Sequence, residues 1–371
     1  MNSRRYKVVF FLEDLDGGGA ERAIIDTANL IGKEYVVELV VGYATSVYRS
    51  ELNKSVCLVD FNTRNKLRLF RKFRKYLKSS YADVVFSSLD FANYLTLFCA
   101  IITRYKGKII FSQRAALSNS KINIPLFNKI GFFLAKVFLS WRIDLIASNS
   151  QFAISEIKKD FFLKNRKIFF LPNVINSDLW SSLSKDDAEL EMIRSFQPYI
   201  LAVGSIIQRK DYYTLIKAFS LTKDFKGKLI ILGKGYEESE YEKIKGLIEE
   251  LSLNERIFML GFKANPYPWI SNCELMVSSS LNEGFPNSIA QALVLGKKVV
   301  ATDCPGDTAY ILKQSKNSIL VPMKNDLMLS NAILKLLNAK FIHSDDVFSE
   351  YNSKKIFDTL KTNINSLIQN Q

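Results

Sequence analysis

The sequence predicts an α/β protein built from two doubly wound halves, each a parallel sheet covered by helices on both faces. Short, continuous apolar runs rich in β-branched residues alternate with longer amphipathic stretches, the pattern of strands buried on both sides. A polar stretch over 173–197 interrupts this alternation, which then restarts. The 371 residues accommodate two such halves, at about 100–200 residues per domain.

In the first half, Val8-Val9-Phe10-Phe11-Leu12 is an unbroken apolar run and predicts a buried strand over 7–12. It is too short for a secretory signal core followed by a cleavage site. Similar runs place strands at 36–41, 56–60, 84–87, 108–112, 145–148 and 168–171. Helical spacing of apolar residues falls between them at 20–31, 66–78, 92–105, 125–140 and 151–161. The polar stretch, with Ser181-Ser182-Leu183-Ser184-Lys185-Asp186-Asp187, reads as a connection between domains. In the second half, strands are expected at 199–203, 228–232, 257–260, 275–278, 298–301 and 319–321, and helices at 212–221, 238–251, 287–295 and 327–337. The resulting division is a first domain over 1–175, a linker over 176–197, a second domain over 198–345, and a C-terminal helix within 346–371 that packs back on the first domain. Two open α/β sheets facing across a cleft bind ligands at the carboxyl ends of their strands.

Composition narrows the function. Hydrophobic residues make up 48% and charged residues 24%, which suits a packed chain and not a disordered one. No run reaches the about 18 uncharged apolar residues of a transmembrane helix; the nearest, 130–141, is broken by Lys136. Cys57, Cys99, Cys273 and Cys304 form no CxxC pair and are expected to be reduced thiols of a cytosolic protein. With His343 as the one histidine, a His/Cys zinc site is nearly excluded, and a Ser-His-Asp hydrolase survives only if His343 is its base. Its polar surroundings favour a surface position. The net charge of +14 asks for an anionic partner: nucleic acid, an acidic membrane surface or a phosphorylated substrate. Residues 1–172 hold 28 Lys and Arg against 14 Asp and Glu, whereas 173–371 hold 23 of each, so the whole excess lies in the first half.

Three segments could carry chemistry. Gly17-Gly18-Gly19-Ala20-Glu21-Arg22 lies between the first strand and first helix, where glycines admit a ligand close to the backbone and a helix N-terminus offers N–H groups to an anion. A tight βα turn explains these glycines equally well, and the pattern is not GxGxxG, so a dinucleotide fingerprint fails. The second segment runs from Ser278-Ser279-Ser280 through Glu283-Gly284-Phe285-Pro286-Asn287-Ser288 to Gln291. It presents one carboxylate after a strand and starts a helix near Asn287, with Pro286 at the entrance and Asn287 or Ser288 as cap. The helix N–H groups suit a diphosphate, Glu283 sugar hydroxyls, and Gln291 a ribose. The competing reading is a capped core helix beside a solvated Glu. The third segment, Val203-Gly204-Ser205-Ile206-Ile207-Gln208-Arg209-Lys210-Asp211, places Arg209 or Lys210 where a phosphate could be reached. Surface charge at a helix entry accounts for it as readily.

The order of these motifs resembles the retaining glycosyltransferases of family 4, on the GT-B fold of two Rossmann-like domains. The resemblance covers nearly the whole chain and is closest to the branch that builds bacterial surface polysaccharides and lipid-linked oligosaccharides. It is carried by residues 18–22, Pro172-Asn173-Val174-Ile175, 204–210, Leu232-Gly233-Lys234-Gly235, Leu260-Gly261-Phe262-Lys263-Ala264-Asn265-Pro266-Tyr267-Pro268, Glu283-Gly284-Phe285-Pro286-Asn287 and Thr302-Asp303-Cys304-Pro305-Gly306. The segments at 261–268 and 283–287 are specific, and the glycine turns are not. The resemblance implies that Lys210 binds the donor diphosphate and that Glu283, the first Glu of a Glu-x7-Glu motif, holds the donor sugar. Gly18, Gly19, Gly204, Ser205, Gly233, Gly235, Phe262, Gly284, Phe285, Asn287, Ser288 and Gln291 complete the implied donor site. Departures are plain: Gln291 stands for the second Glu, Ser205 for a usual arginine with Arg209 as substitute, and Tyr310 where a Glu is frequent. The first half also lacks the family's histidine, with Arg114 in Ser112-Gln113-Arg114 as its replacement.

The implied reaction moves a sugar, with retention of configuration, from a UDP-linked donor to a polyprenyl-linked or polysaccharide acceptor. The departing diphosphate accumulates negative charge, so cations and helix N–H groups aimed at it matter most. No enzymatic base, no cofactor and no metal is expected; Asp14-Leu15-Asp16 imitates a metal-binding DxD but sits in the wrong loop of the wrong fold type. Residues 64–78 hold eight cations and no acid, with Leu67, Phe70, Phe73, Tyr76 and Leu77 broadly along one side. A solvated helix resting on the sheet is one reading. Contact of Arg68, Arg71, Lys72, Arg74 and Lys75 with an anionic membrane surface is the favoured one, joined by the apolar, Lys-bearing stretch at 125–141. The expected location is peripheral, on the inner face of the cytoplasmic membrane. Nucleic-acid binding explains the charge but not the Glu283 loop, and no aromatic RNA-reading pattern accompanies it. A non-catalytic relative acting as a partner subunit or binding module is the alternative, motivated by Gln291, Ser205 and the missing histidine.

Overall fold

A computed structural model describes residues 4–16, 19–45, 49–114, 140–160, 162–235, 237–313, 315–342, 348 and 351–369. Gly18, His343 and the helix and apolar stretch expected within 125–141, apart from its last two residues, lie outside the described residues. The chain divides into two compact units, one formed by Met1–Val174 with Glu350–Gln371 and the other by Ile175–Ser349.

The first unit holds seven parallel strands: β1 (Lys7–Leu15), β2 (Val36–Ala44), β3 (Val56–Asp60), β4 (Val84–Ser88), β5 (Lys108–Gln113), β6 (Leu145–Ser148) and β7 (Ile168–Phe170). Their order is β3-β2-β1-β4-β5-β6-β7, so the order in which strands are added reverses between β1 and β4 while every pair stays parallel. Between the strands run α1 (Gly19–Ile31), α2 (Lys66–Ser79), α3 (Asp90–Thr103) and α4 (Gln151–Lys159). The apolar run of β1 is buried because alternate residues serve two cores. Val8, Phe10 and Leu12 meet the α1 side, and Val9 and Phe11 the α2/α3 side.

Asn65 caps α2 by accepting from the Arg68 N–H at 3.0 Å. The buried stripe of α2 is Leu69, Phe73 and Leu77, spaced i, i+4, i+8, and the Phe73 ring stacks on Phe11 at 3.8 Å. Leu67, expected on that stripe, points outward, because it stands nearly opposite Leu69 around the helix.

The second unit has the strand order β10-β9-β8-β11-β12-β13. These are β8 (Tyr199–Val203), β9 (Lys228–Leu232), β10 (Ile257–Gly261), β11 (Leu275–Ser278), β12 (Val299–Thr302) and β13 (Ser318–Val321), all parallel. Its helices are α5 (Ser177–Leu183), α6 (Leu190–Phe196), α7 (Tyr212–Ser220), α8 (Glu238–Glu250), α9 (Tyr267–Asn272), α10 (Asn287–Val294), α11 (Thr308–Leu312) and α12 (Asp326–Asn338). The residues read as a linker therefore form two short helices of this unit. Trp180 of α5 stacks on Tyr267 at 5.9 Å. Glu189, just before α6, accepts from Trp269 Nε1 at 2.6 Å and from the Lys263 ammonium. Asn265 Nδ2 donates to the Leu183 carbonyl at 3.0 Å. The polar composition misled because these helices dock through single side chains rather than a long apolar face.

The last helix, α13 (Ser353–Gln369), belongs to the first unit. Ile356, Leu360, Ile364 and Ile368 enter the core beside β1 and α1, and Tyr35 Oη donates to Asn365 Oδ1 at 2.8 Å. Among the described residues no helix is long and apolar enough to cross a membrane.

Candidate active site

The second unit gathers its polar side chains at the carboxyl ends of β8, β11 and β12. After β8, Gln208–Lys210 makes one turn of 3-10 helix, and Asp211 ends it in a left-handed conformation at φ 47°. The Asp211 carboxylate then caps α7, accepting from Thr214 Oγ1 at 2.7 Å and its N–H at 3.3 Å. This tight exit projects Arg209 and Lys210 from one short turn.

Both reach Glu283. Arg209 Nη1 donates to Glu283 Oε2 at 3.2 Å and to the Asn282 carbonyl at 2.7 Å, and the Lys210 ammonium donates to Glu283 Oε1. Ser280 Oγ donates to the same Oε1 at 2.7 Å. Backbone bonds lock the two loops together: Leu281 N–H to Arg209 O at 2.8 Å, and Glu283 N–H to Pro305 O at 2.9 Å. Ser279 Oγ adds a bond to Lys210 O at 2.8 Å, and Thr302 Oγ1 one to Ser280 O at 2.5 Å. Glu283 is only 7% exposed. Burial alone would push its carboxyl up, but Lys210 and Arg209 outweigh that and hold it below its ordinary value. It is therefore an ionised acceptor of hydrogen bonds at neutral pH, not an acid.

A carboxyl depressed in the folded state stabilises fully above its unfolded value, about 4.3, and that stabilisation is lost as pH falls through the folded value. The second unit of the wild type is expected to lose more thermal stability between about pH 5 and pH 3 than a Glu283→Gln variant. Equal losses in melting curves would contradict the ion-paired arrangement.

The glycines of neighbouring loops serve close approach. At Gly233 a Cβ would collide with the Gly204 carbonyl, so the loops after β8 and β9 touch only because that side chain is absent. Tyr212 Oη donates to Gly204 O at 2.6 Å, and Ile206 pairs with Gly235 as an isolated bridge beside Ser205. Phe262, just past β10, is 43% exposed.

Gly284 and Phe285 lead from Glu283 into α10, and Phe285 is buried. Asn287 is the first residue of α10 and Pro286 stands at its cap with no side-chain bond, so neither Asn287 nor Ser288 is the cap. The helix starts one residue too early for either. Its first turn presents backbone N–H groups that no intrahelical carbonyl reaches. Gln291 is half-buried, one turn farther along.

In the first unit, Gly19 opens α1. Asp16 accepts twice from Arg64 Nη2, at 2.7 and 2.8 Å, and Glu13 pairs with Lys66, so the Asp14-Leu15-Asp16 segment is tied to α2 and the turn before it. Arg114 follows β5 and is 8% exposed. Its Nη1 donates to Asn173 Oδ1 at 2.8 Å, which also accepts from Asn149 Nδ2 at 3.2 Å. Burial lowers the Arg114 guanidinium to about 10, opposed by Asp26, and burial raises Asp26 to about 6 against Arg22 and Arg114. Arg68, Arg71, Lys72, Arg74 and Lys75 all lie exposed on α2 and form no ion pair with a described residue. Lys72 Nζ donates to the Phe61 carbonyl, and the Arg74 guanidinium lies 5.8 Å from the Phe70 ring centre.

The structure thus brings Arg209, Lys210 and Glu283 into direct contact, with Gly204, Ser205, Gly233 and Gly235 in adjoining loops. Sequence reading missed Ser279 and Ser280 as the groups that aim this cluster. Their signal was a run of three serines at a strand end, a pattern that ordinary turns share.

Residues 197–339 match the Glycosyl transferases group 1 family. Over 373 residues the chain is 25% identical to the N-acetylgalactosamine-N,N'-diacetylbacillosaminyl-diphospho-undecaprenol 4-alpha-N-acetylgalactosaminyltransferase of Campylobacter jejuni, covering 96% of each chain. It is 24% identical to a second Campylobacter jejuni enzyme, the GalNAc-alpha-(1->4)-GalNAc-alpha-(1->3)-diNAcBac-PP-undecaprenol alpha-1,4-N-acetyl-D-galactosaminyltransferase, over 90% of this chain and 89% of that one. Among solved structures, Anabaena Alr3699/HepE in complex with UDP and glucose superposes with a TM-score of 0.81 at 18% identity, over 98% of this chain and 100% of that one. Sucrose-phosphate synthase from Thermosynechococcus elongatus superposes with a TM-score of 0.83 at 15% identity, over 99% and 100%.

Proposed function

We propose that this chain, whose residues 197–339 match the glycosyl transferases group 1 family and whose fold is GT-B, is a glycosyltransferase that transfers a hexose or N-acetylhexosamine from a UDP-sugar to a lipid-linked glycan in bacterial surface-polysaccharide assembly. The observation that carries this reading is the contact of Lys210 and Arg209 with the buried Glu283 carboxylate. Relatives named for undecaprenyl-diphosphate acceptors, and a neighbour solved with UDP and glucose, support the choice of acceptor and donor.

In this reading Lys210 and Arg209 neutralise the diphosphate as the glycosyl–phosphate bond breaks, and the first turn of α10 adds backbone N–H groups. Glu283 accepts hydroxyl hydrogen bonds from the donor sugar, while Gly204, Gly233 and Gly235 keep the loops close. Phe262 and Phe285 flank the donor, and Gln291 offers its amide to the ribose. The acceptor hydroxyl's proton passes to the departing phosphate oxygen, so configuration is retained with neither a protein base nor a metal. Arg114 stands in for the histidine that the resemblance would place in the first unit, and the exposed cations of α2 are the groups offered to the anionic membrane that carries the acceptor.

The test is a donor screen. The purified protein is incubated with UDP-hexoses and UDP-N-acetylhexosamines plus undecaprenyl-diphosphate-linked saccharides, in EDTA. Acceptor-dependent release of UDP and an α-linked product from an α-linked donor are expected. Absence of release with every donor would overturn the reading and favour the non-catalytic alternative to which Gln291 and Ser205 point.

A further inference from the structure

Hydrogen-bonding capacity is left unused at one edge of the first unit. Ser88 Oγ, Arg114 Nε and Asn149 Oδ1 are buried and meet no hydrogen-bond partner among the described residues, a cost that folded chains ordinarily avoid. Ser88, Asn149 and Arg114 are 0%, 5% and 8% exposed. They end three neighbouring strands: Ser88 closes β4, Arg114 follows β5 and Asn149 follows β6. Ser88 pairs with Ser112, and Gln113 with Ser148, so all three stand at the carboxyl edge of the sheet. Side chains alternate along a strand. Val84 and Phe86, Ile110, and Leu145 and Ala147 enter the core on the α1 side. Ser88, Arg114 and Asn149 continue these series in steps of two and so face the same side. β4 is also the strand beside β1 at which the strand order reverses, where open α/β sheets take ligands.

The other face of this edge is closed. Ser87 Oγ donates to Asn93 Oδ1 at 2.8 Å, and Asn93 Nδ2 donates to the Ser112 carbonyl at 2.9 Å. Ser150 Oγ is engaged in capping α4, accepting from the Ala153 N–H at 3.1 Å. On the α1 face, Asn173 Oδ1 accepts from both Arg114 Nη1 and Asn149 Nδ2, at 2.8 and 3.2 Å. That shared acceptor holds the two side chains alongside one another with Nε and Oδ1 unused. Leu89 carries the chain from Ser88 into α3 at φ 74° and ψ 148°, a region that residues other than glycine rarely enter. Leu89 is half-buried, as are Arg22 and Asp26 of α1.

The unused atoms define the ligand. Arg114 Nε–H donates only, Asn149 Oδ1 accepts only, and a serine hydroxyl does either. A phosphate or carboxylate offers acceptors alone and would leave Asn149 Oδ1 unpaired. A trans amide points its N–H and C=O in opposite directions, which does not suit two side chains lying alongside. Neighbouring hydroxyls on one sugar ring supply both a donor and an acceptor. Charge agrees with a neutral ligand. Arg22 pairs with Glu51 at 2.7 Å and stands 3.6 Å from Asp26, and Asp26 favours the charged form of Arg114. Two guanidiniums are thus matched by two carboxylates.

We propose that Ser88, Arg114 and Asn149 form a saccharide subsite of the first unit, in which Arg114 Nε donates to one ring hydroxyl, an adjacent hydroxyl donates to Asn149 Oδ1, and Ser88 Oγ meets a third. The subsite deepens the glycosyl-transfer reading, on which the source of the ring rests. The ring belongs to the acceptor or to the donor, and in both cases it is read through its hydroxyls and not through phosphate.

Ser88→Ala separates this role from a structural one. Its hydroxyl bonds no described residue, so its loss is expected to leave the melting temperature unchanged or raised, while weakening the bound sugar about three- to tenfold. The full chain is titrated calorimetrically with methyl galactoside, methyl glucoside and methyl N-acetylgalactosaminide at saturating UDP, and separately with UDP, UDP-glucose and UDP-N-acetylgalactosamine. Weakened binding of a methyl glycoside assigns the ring to the acceptor. Weakened binding of a UDP-sugar, with UDP itself unaffected, assigns it to the donor. Asn149→Ala is expected to weaken the same sugar. Among the monodeoxy forms of that sugar, one is expected to bind wild type and Ser88→Ala alike, a coupling that a merely structural serine would not show.

If no sugar binds, or none is weakened by Ser88→Ala, the proposal is overturned. A lowered melting temperature with unchanged sugar affinity gives the three atoms to a buried water and also overturns it. Binding of inorganic phosphate at saturating UDP that Ser88→Ala weakens overturns the choice of a neutral ligand. Absence of UDP release in the donor screen, with Ser88-dependent sugar binding intact, counts against the proposed function and leaves the subsite standing.

Discussion

Lys210→Ala is expected to lower kcat by about 10²–10³-fold, the usual effect of removing one preorganised group from a developing negative charge. The Lys210 ammonium is held by Glu283, and Ser279 fixes its backbone carbonyl at 2.8 Å. Under the proposed function this fixed position is what lets the cation meet the departing phosphate without rearranging. A fall concentrated in kcat distinguishes this from simple donor affinity, which would appear in KM. The substitution also removes one of the two cations that oppose the burial of Glu283. The carboxyl should therefore titrate higher, and the acid limb of the residual activity should move to higher pH than in the wild type. Steady-state UDP release across pH measures both; a variant within threefold of wild type would remove Lys210 from the reacting centre.

Gly306→Ala is expected to be the most damaging change of a single methyl group. Gly306 sits at φ +127°, where an L side chain is strained, and its Cβ would be driven into the Glu283 carbonyl. Strain of this kind costs about 1–3 kcal/mol before the clash is counted. Each kcal/mol lowers the melting point of a unit this size by about 2–4 °C. Relief requires the Glu283 backbone to move, yet the Glu283 N–H is bonded to Pro305 O and the Asp307 N–H to Gly284 O. Activity should fall together with the melting temperature of the second unit. Full activity in a destabilised protein would show that Glu283 need not be held where it is.

The strands were legible because their signal is local. Val8 to Leu12, Val84 to Phe86 and Tyr199 to Val203 are short apolar runs, and a strand buried on both faces has no other way to look. The helices of 177–183 and 190–196 were not, since Trp180, Glu189 and their partners Tyr267, Lys263 and Trp269 meet only after the chain has folded. At the site, Lys210 and Glu283 were singled out by their segments and given roles through a resemblance, while the roles of Ser280 and Thr302 depend on hydrogen bonds across two strands. The exposed face of α3 was hidden for a different reason. Apolar residues at helical spacing look the same whether they turn toward the sheet or away, so Phe98 and Cys99 could not be told apart in sequence; one is 47% exposed and the other fully buried.

The first unit is not a continuous stretch of chain. Ile356, Leu360, Ile364 and Ile368 close the same core as Val8, Phe10 and Ile24, although the whole of the second unit lies between them in sequence. During synthesis, which runs from the N-terminus, the strands and first helices of this unit emerge long before the helix that covers them. The second unit can complete itself as a contiguous segment, so the half made first is the half finished last. Until then an apolar groove beside α1 and β1 stays open, and its closure is intramolecular, across a loop the size of an entire domain.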